Sequence, residues 1–305
     1  MKSRIGPNGV HLFDRLSGLN VLLEEVRLKE AAWSISPRQV SIALTNICDL
    51  HCAYCYAPKH KASLQTDQVL SWLKELDTEG CLGVGFGGGE PTLHHDFVDI
   101  CKRVAGETQL AVTFTTHGHR LTPKLVDSLK GSIHFARISV DGVGLTYEEH
   151  RGRQFASLLR GLESIATLSP FGINVVVNER TVLELDAMRE LAEKVGASEL
   201  LLLPQQATTA AGSMGQVVGR ALQDWVSKYR GKVRLAVSEA GASGLPTCDP
   251  LPDEQGLQAY AHIDASGMLR ASSYSPAGVK IGSAGVLSTL KLLRNTFEPQ
   301  RETQS

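Results

Sequence analysis

Short apolar runs alternate with amphipathic stretches through the first two thirds of this chain. The apolar runs lie at 39–44, 82–86, 110–116, 134–140, 173–178 and 199–204. The stretches between them carry apolar residues at helical spacing; in 66–80, for example, Val69, Leu73 and Leu76 mark one face. Strands and helices in this order form βαβ units around a parallel sheet, so the sequence predicts an α/β fold. Six units are too few for a closed eight-stranded barrel but enough for an open, partial (β/α)6 barrel.

The same pattern predicts three parts of the chain. Residues 1–38 precede the first predicted strand and form an N-terminal extension. Residues 39–205 hold the six βα units as a barrel core, with further helical patterns near 94–106, 122–130, 153–168 and 182–195. Composition changes after Pro204, where a small-residue linker, a helix and a β-hairpin around 264–267 predict a small appendage over 206–305.

Charge and hydropathy narrow the possible partners and the compartment. The 31 basic and 32 acidic residues give a formal net charge of −1, which argues against nucleic acid or an anionic membrane surface as a partner. No apolar run approaches the roughly 20 residues that a membrane span needs, and the first residues do not resemble a secretory signal. We therefore expect a cytoplasmic protein, whose clustered thiols serve a metal or catalysis rather than disulfides.

Three of the six cysteines lie within eight residues, in "CDLHCAYC" from Cys48 through Cys52 to Cys55. They follow the first predicted strand, the end of a barrel strand where chemistry usually resides. Three thiolates at this spacing can hold a [4Fe–4S] cluster with one iron left open. Structural zinc wants four ligands and no second C-x-x-C pair exists, although His51, His60 or a distant cysteine could be the fourth. Three unrelated core cysteines are the remaining interpretation.

The spacing C-x-x-x-C-x-x-C resembles that of radical S-adenosylmethionine (radical SAM) enzymes, including the aromatic Tyr54 beside the last cysteine. Other segments resemble that family in the same order along residues 39–205. They are "GFGGGEPTLH" at the end of the second strand, "FTTHG" at the third, "ISVDG" with "EEHRG" at the fourth, "INVVVNERT" at the fifth and "LLLLP" at the sixth. The fourth-strand segment resembles the peptide-modifying branch, and His117 stands where the family usually has asparagine.

The resemblance implies one [4Fe–4S] cluster on Cys48, Cys52 and Cys55, and S-adenosylmethionine (SAM) as the second cofactor. It implies these SAM-binding residues: Tyr54, Gly88, Gly89, Glu90, Thr116, Ser139, Asp141, Arg151, Asn178 and Leu203. Glycine lets the backbone approach a cofactor closely, and a guanidinium suits the SAM carboxylate. Plainer interpretations remain: "GGGEP" as a strand-ending turn, Asp141 as a turn residue, and Arg151 as a solvated arginine at a helix start. No residue is assigned a catalytic role.

The C-terminal third resembles the appendage called SPASM or, when shortened, twitch. That pattern places cysteines on a hairpin to hold an auxiliary iron–sulfur cluster. Cys248 fits the first cysteine, but Ser272 stands where the hairpin cysteine is expected. One thiolate cannot hold a cubane, so we expect a cluster-free hairpin that serves as a substrate scaffold; alternatively, Cys248 is a free thiol near the active site. Cys81 and Cys101 are interpreted as buried core residues.

Together these features predict a radical SAM enzyme. The resemblance implies reductive cleavage of SAM to a 5′-deoxyadenosyl radical, which takes a hydrogen atom from a substrate. Relatives with the appendage modify peptides by cross-linking, epimerisation or thioether formation, so a peptide substrate and a reducing partner such as flavodoxin or ferredoxin are expected. One alternative is a radical SAM enzyme of small-molecule biosynthesis. Another is a non-catalytic iron–sulfur or zinc protein that binds a partner.

Overall fold

The computed structural model describes residues 1–208, 211–238, 241–245 and 251–297. Its contacts divide the chain into two compact units. Unit 1 contains Met1–Ile47, Lys59–Thr113 and the described residues from 251 onward. Unit 2 contains Cys48–Pro58 and the described residues from 114 to 245. The domain boundaries predicted at residues 38 and 205 rest on sequence pattern, and they stay a prediction.

Strands and helices alternate along most of the chain. The strands are β1 (Lys2–Gly6), β2 (Gly9–Phe13), β3 (Asn20–Leu23), β4 (Gln39–Thr45), β5 (Gly83–Gly88), β6 (Ala111–Thr116), β7 (Phe135–Ser139), β8 (Phe171–Val177), β9 (Glu199–Pro204), β10 (Arg234–Val237), β11 (Tyr260–Ile263), β12 (Met268–Arg270) and β13 (Val279–Lys280). The helices are α1 (Thr66–Thr78), α2 (Phe97–Glu107), α3 (Pro123–Leu129), α4 (Gly144–Arg151), α5 (Phe155–Ala166), α6 (Leu185–Lys194), α7 (Gln216–Lys228) and α8 (Gly285–Phe297). All six predicted barrel strands are present, as β4 to β9.

In unit 1, β4 pairs in parallel with both β5 and β11. Alternate residues of β4, such as Ile42 and Leu44, are fully buried, as is Leu73 of α1. Strand β11 continues into an antiparallel hairpin with β12, and β12 pairs with β13. The Asp264 carboxylate shapes the hairpin turn by accepting a hydrogen bond of 2.9 Å from the Ser266 backbone N–H. The predicted hairpin is thus confirmed, and it extends the edge of a parallel sheet.

The N-terminal residues form a structure that sequence pattern did not predict. Strands β1, β2 and β3 make an antiparallel sheet within the segment interpreted only as an extension. Buried Arg4 of β1 pairs with the buried Glu254 carboxylate, and its guanidinium also donates to the Gly80 carbonyl at 3.1 Å. These contacts join residues far apart in sequence, so no local pattern indicates them.

In unit 2, β7, β8, β9 and β10 form a parallel sheet in that order. Ile138, Ile173 and Leu200 are register neighbours, and all three are fully buried. Helices α5 and α6 also bury apolar side chains, such as Leu162 and Met188. Side chains alternate between the two faces of a strand, so Ser139 and Asn174 lie on the opposite, more open face. That open face carries the polar residues discussed below.

Helix α4 differs from the prediction. It buries only Tyr147, so it lacks the apolar periodicity from which a helix is predicted. Gly152 ends it in the left-handed conformation, with φ of 65°, and donates its N–H to the Glu148 carbonyl. Arg151 is therefore the last residue of a helix, and its interpretation as an arginine at a helix start is wrong.

Within the described residues, every helix is too short or too polar to traverse a lipid bilayer.

Candidate active site

The three clustered cysteines lie in an irregular loop of unit 2 that follows β4 in the chain. All three are reduced and partly exposed. The Leu50 backbone N–H lies 3.4 Å from Cys48 Sγ and donates to it, and the Cys55 N–H donates to the Cys52 carbonyl at 3.2 Å. Donors aimed at sulfur stabilise thiolates and tune an iron–sulfur cluster, so the loop fits the predicted ligand role.

Cys81 and Cys101 behave differently from the loop cysteines. Both are fully buried. Burial raises the pKa of the Cys81 thiol to about 11 and raises that of Cys101 as well, so both remain protonated at neutral pH. The prediction that they are core residues is confirmed.

Arg151 brings the end of α4 to the cysteine loop. Its Nη1 lies 3.8 Å from Cys52 Sγ, and its other terminal nitrogen forms an ion pair with Asp141. The Arg151 side chain is only 12% exposed, and that of Asp141 is 1% exposed. Among the described residues, the buried Nε of Arg151 has no hydrogen-bond partner. An unsatisfied cationic donor beside a sulfur ligand suits a bound carboxylate, the role implied by the resemblance.

Asp141 links the loop to the sheet. Its Oδ2 accepts a hydrogen bond of 2.6 Å from the Tyr54 hydroxyl, and its Oδ1 accepts one of 2.7 Å from the Val176 backbone N–H. Burial and the Asp141 charge raise the pKa of Tyr54, so its hydroxyl stays protonated and donates. Asp141 is therefore more than a turn residue, because it orients Tyr54 and Arg151 together.

A second series of hydrogen-bonded polar side chains begins at Asp49, next to Cys48. The Nε2 of buried His117 donates to Asp49 Oδ1 at 2.8 Å, and Arg153 pairs with the same carboxylate at 3.4 Å. His117 Nδ1 accepts from the His119 backbone N–H at 3.1 Å, which fixes the Nε2–H tautomer. Burial raises the pKa of Asp49, but the His117 hydrogen bond and the nearby charges outweigh that effect, and the pKa is lowered. Asp49 is thus an anchored carboxylate.

His119 extends this series of hydrogen bonds through its two ring nitrogens. Its Nε2 lies 2.7 Å from the Tyr147 hydroxyl and its Nδ1 lies 3.2 Å from Ser157 Oγ. Burial and the neighbouring His117 lower the pKa of His119 to about 4, so it is neutral near pH 7. Cys48, Asp49 and His117 also bring three possible ligand atoms within 4.8 Å of one another. Because His117 and Asp49 are hydrogen-bonded to each other, we interpret them as a brace for the loop.

The glycine segment Gly88–Glu90 belongs to unit 1. A Cβ on Gly89 would lie 2.3 Å from the Ile47 carbonyl oxygen, so only glycine fits beside the chain that leads to Cys48. Gly88 has φ of 120°, a conformation that also requires glycine. The Glu90 carboxylate is 1% exposed and accepts from Thr92 N–H and Oγ1. The segment therefore builds a strand-ending turn, and its part in binding SAM stays a prediction.

The other predicted cofactor residues lie at strand ends of unit 2. Thr116 ends β6 and accepts from the Gly118 N–H at 3.1 Å; Ser139 ends β7, and Leu203 lies on β9. Asn178 follows β8, and its amide serves the local turn. Its Oδ1 accepts from the backbone N–H groups of Arg180 and Thr181, and its Nδ2 donates to Gln205 Oε1 at 3.1 Å. Its predicted contact with SAM stays untested.

Asn174 is a polar residue that sequence reasoning missed. It lies within β8 and is 7% exposed, and no group among the described residues donates a hydrogen bond to its Oδ1. The signal in the sequence was the first asparagine of "INVVVN", a polar residue among the apolar residues of a predicted strand.

An open cavity of about 410 Å³ adjoins the cysteine loop within unit 2. It is lined by Tyr54 and its neighbours in the loop, by Arg151 and Arg153 around the end of α4, and by Arg180. Of the residues predicted to hold the cofactors, Tyr54 and Arg151 line this cavity.

The appendage retains its hairpin with Ser272 just beyond β12. Ser272 Oγ accepts from the Tyr274 N–H at 3.3 Å, whereas Arg270 Nε donates to Asp264 at 2.9 Å and Nη1 donates to the Ser275 carbonyl at the same distance. Side chains and backbone hold this loop together. Cys248 lies outside the described residues, so the absence of an auxiliary cluster stays a prediction.

Comparison with known proteins identifies a family. The model of the radical SAM superfamily matches residues 42–193. The chain is 32% identical over 163 residues to the mycofactocin maturase MftC of Mycolicibacterium smegmatis, covering 51% of this chain and 41% of that protein. It is 30% identical over 175 residues to the AdoMet-dependent heme synthase of Methanosarcina barkeri, covering 54% of this chain and 50% of that protein. The chain thus spans about half the length, or less, of these curated relatives.

Solved structures share the fold. Streptococcus suis SuiB bound to the precursor peptide SuiA aligns with a TM-score of 0.78 at 12% identity, covering 100% of this chain and 90% of SuiB. Native anSMEcpe with bound AdoMet aligns with a TM-score of 0.62 at 16% identity, covering 85% of this chain and 80% of that one. The predicted α/β fold of the radical SAM type, with its parallel strands and intervening helices, is confirmed.

Proposed function

This chain belongs to the radical SAM superfamily, and we propose that it is an enzyme that takes a hydrogen atom from a peptide substrate. The observation that carries the proposal is the arrangement in unit 2. Arg151 contacts Cys52, one of the three partly exposed cysteines, and its buried Nε has no hydrogen-bond partner in the part of the chain that the structure describes. Cys48, Cys52 and Cys55 would hold one [4Fe–4S] cluster with an open iron, and Arg151 would bind the carboxylate of SAM.

When bound, the reduced cluster supplies one electron for cleavage of SAM to methionine and a 5′-deoxyadenosyl radical. The chain's own residues would bind the two cofactors and orient the side chains that contact them. Asp141 holds Arg151 and Tyr54 in place, and the Asp49–His117 pair holds the loop beside Cys48. Three donors already contact the carboxylate of Asp141, which supports Arg151 rather than Asp141 as the main polar contact for SAM.

Two likenesses support a peptide substrate. MftC is named as a maturase, and SuiB was solved with a precursor peptide. The open cavity beside the cysteine loop is reachable from solvent, as entry of a flexible chain requires. The reducing partner would be a flavodoxin or a ferredoxin, because cleavage needs a single low-potential electron.

A second candidate substrate is a tetrapyrrole. The likeness to a heme synthase, over a similar share of this chain, favours this candidate. Fe-coproporphyrin III is a practical probe of the class. Binding that shifts its absorbance and stimulates formation of 5′-deoxyadenosine would favour this candidate over the peptide.

The decisive experiment is anaerobic reconstitution with iron and sulfide, followed by dithionite, SAM and chromatographic assay of 5′-deoxyadenosine. We expect about four irons per chain and slow formation of 5′-deoxyadenosine without substrate. Replacing Cys48, Cys52 and Cys55 together by Ala should remove the iron and the product, whereas Cys101→Ala should remove neither. Iron retained by the triple variant, or stoichiometric zinc in the anaerobically purified protein, would contradict the proposal.

A further inference from the structure

A hydrogen-bonded trio of side chains in unit 1 has no part in the proposed function. His262 of β11 is the register partner of Ser41 of β4, and Tyr260 lies on the same face of β11 as His262. Ser41 Oγ lies 2.7 Å from His262 Nδ1 and 2.5 Å from the Tyr260 hydroxyl oxygen. The trio thus joins the hairpin of the appendage to the strand that leads, along the chain, to Cys48.

The directions of these two hydrogen bonds fix the tautomer of His262. Burial raises the pKa of Tyr260, so its hydroxyl keeps its proton, and Ser41 Oγ is its single hydrogen-bond partner among the described residues. Tyr260 therefore donates to Ser41, and Ser41 donates its own hydrogen to His262 Nδ1. Burial also lowers the pKa of His262 to about 4, so the ring is neutral near pH 7 and carries its one N–H on Nε2.

The Nε2–H group of His262 is a donor without an acceptor. The residue is only 6% exposed, and no group in the described part of the chain forms a hydrogen bond with Nε2. This nitrogen is not fully enclosed, so a ligand can reach it. A nearly buried donor that lacks an acceptor costs stability, and it therefore points to a group that is bound there.

Small residues leave open space beside the trio. Ser41 pairs with Gly85 of β5, Ala43 pairs with Gly87 one step further along the same face, and Ser41 and both glycines are partly exposed. A Cβ on Gly87 would meet no atom within 4 Å, whereas a Cβ on Gly85 would lie 3.3 Å from Thr113 Oγ1. The result is a trough between β11 and Thr113, floored by Ser41, Gly85 and Gly87. Its floor is two strands wide, about 10 Å, and carries no large side chain.

We propose that this trough binds an extended segment of the peptide substrate, with His262 Nε2–H donating to a backbone carbonyl oxygen. The inference rests on the proposed function, because it assigns a contact to that peptide. It gives the hairpin the role of substrate scaffold that the sequence predicts for it.

The chemistry of the trough favours a neutral acceptor. The donor on His262 is uncharged, and the two charged side chains that act on this histidine, Asp264 and Arg270, form an ion pair with each other. A carboxylate placed here would lose its hydration without gaining a positive partner, whereas a neutral carbonyl needs only the one donor. A peptide backbone carries such a carbonyl on every residue, and a floor of small residues lets that backbone lie close.

The first test is the tautomer, read from the two-bond ¹H–¹⁵N correlation spectrum of the reconstituted, unreduced protein with ¹⁵N-labelled histidine. At pH 7 His262 should carry its hydrogen on Nε2, and the loss of the resonance in His262→Gln assigns it. N-acetylhexaglycine amide offers backbone carbonyls and no side chains, and it should shift this resonance. Hexaethylene glycol, which lacks a carbonyl, should leave the resonance unchanged.

The second test measures binding of the same peptide, radiolabelled on its acetyl group, by equilibrium dialysis. His262→Gln places an amide N–H where the Nε2–H stands, and it should bind within about threefold of the parent. His262→Leu has no donor, and His262→Asn places its amide nearer the position of Nδ1, so both should bind about tenfold more weakly. His95→Gln, at an exposed histidine, is the matched control. Iron content should be the same in every variant.

Any of three results would overturn the inference: a hydrogen on Nδ1 of His262, a His262 resonance that the hexaglycine peptide leaves unchanged, or Leu and Asn variants that bind the peptide as tightly as the Gln variant. If the Leu variant fails to fold, the Gln and Asn variants, which differ by one methylene, decide the same question. In each case the proposed function stands as long as the reconstituted protein forms 5′-deoxyadenosine. A protein that holds no iron would overturn the proposed function, and the peptide measurements would still be readable.

Discussion

Arg151 and Asp141 form a nearly buried ion pair that ties the end of α4 to the turn after β7. The Tyr54 hydroxyl donates to the same carboxylate, so one acidic group aligns a residue of the cysteine loop with the arginine beside Cys52. Removing one partner of a buried pair leaves the other charge without compensation. The pair is therefore a structural requirement of the site.

Arg151→Met should lower the free energy of unfolding by about 3–5 kcal/mol, because Asp141 is left buried and unpaired. The double variant Arg151→Met with Asp141→Asn should recover much of that loss, since the Asn amide oxygen still accepts from the Val176 N–H and its NH2 group can donate to the Tyr54 hydroxyl oxygen. Chemical denaturation measures the free energy of unfolding of both variants. Arg180→Met breaks the exposed pair with Glu149 and is the control, with an expected cost below about 1 kcal/mol. If the double variant loses as much free energy of unfolding as the two single variants lose together, the two residues are not coupled.

Gly89→Ala should misplace the segment before Cys48, because the new Cβ would meet the Ile47 carbonyl at 2.3 Å. We expect a lower melting temperature and less iron after reconstitution. Gly87→Ala is the matched control, since a Cβ there meets nothing within 4 Å. Equal iron content and equal melting temperatures for the two variants would show that the close approach is unimportant.

His117→Ala should loosen the loop at Cys48 by removing the buried donor to Asp49, a hydrogen bond to a charged group that contributes about 1.5–3 kcal/mol. The reconstituted variant should therefore lose iron to a chelator several times faster than the parent. His95→Ala, at an exposed histidine, should lose iron at the parental rate. The rate of bleaching of the visible absorbance under anaerobic EDTA gives the comparison. Indistinguishable rates for both histidine variants would rule out the brace.

Stability should fall in mild acid because of His262. Burial lowers the pKa of His262 to about 4, and its Nδ1 is hydrogen-bonded to Ser41 Oγ at 2.7 Å. The unfolded chain, with a histidine pKa near 6.5, binds more protons between pH 6.5 and pH 4, so the free energy of unfolding falls with pH there. From pH 7 to pH 5 this histidine alone removes about 2 kcal/mol. His262→Gln should flatten this part of the melting-temperature profile; a slope unchanged from the parent would exclude His262 as its source.

Local sequence is enough to specify the βα alternation and the ligand loop. Strand and helix signals are local, because side chains alternate along a strand and recur every 3.6 residues on a helix, so β4 to β9 were predictable. The spacing of Cys48, Cys52 and Cys55 is equally local, and it indicates a cluster from the order of residues alone. Helix α4 escaped prediction because it buries a single residue, Tyr147.

Contacts between residues that are distant in sequence determine which polar groups remain available to bind a ligand. Tyr54 and Asp141 are 87 residues apart in the chain, and their hydrogen bond exists because the loop and the sheet fold against each other within unit 2. The two asparagines of β8 and its turn look alike in sequence. Asn178 is consumed by the Arg180 and Thr181 backbone, whereas Asn174 is buried with its oxygen unsatisfied among the described residues. Burial and hydrogen-bond partners depend on residues distant in sequence, so no local pattern could have distinguished them.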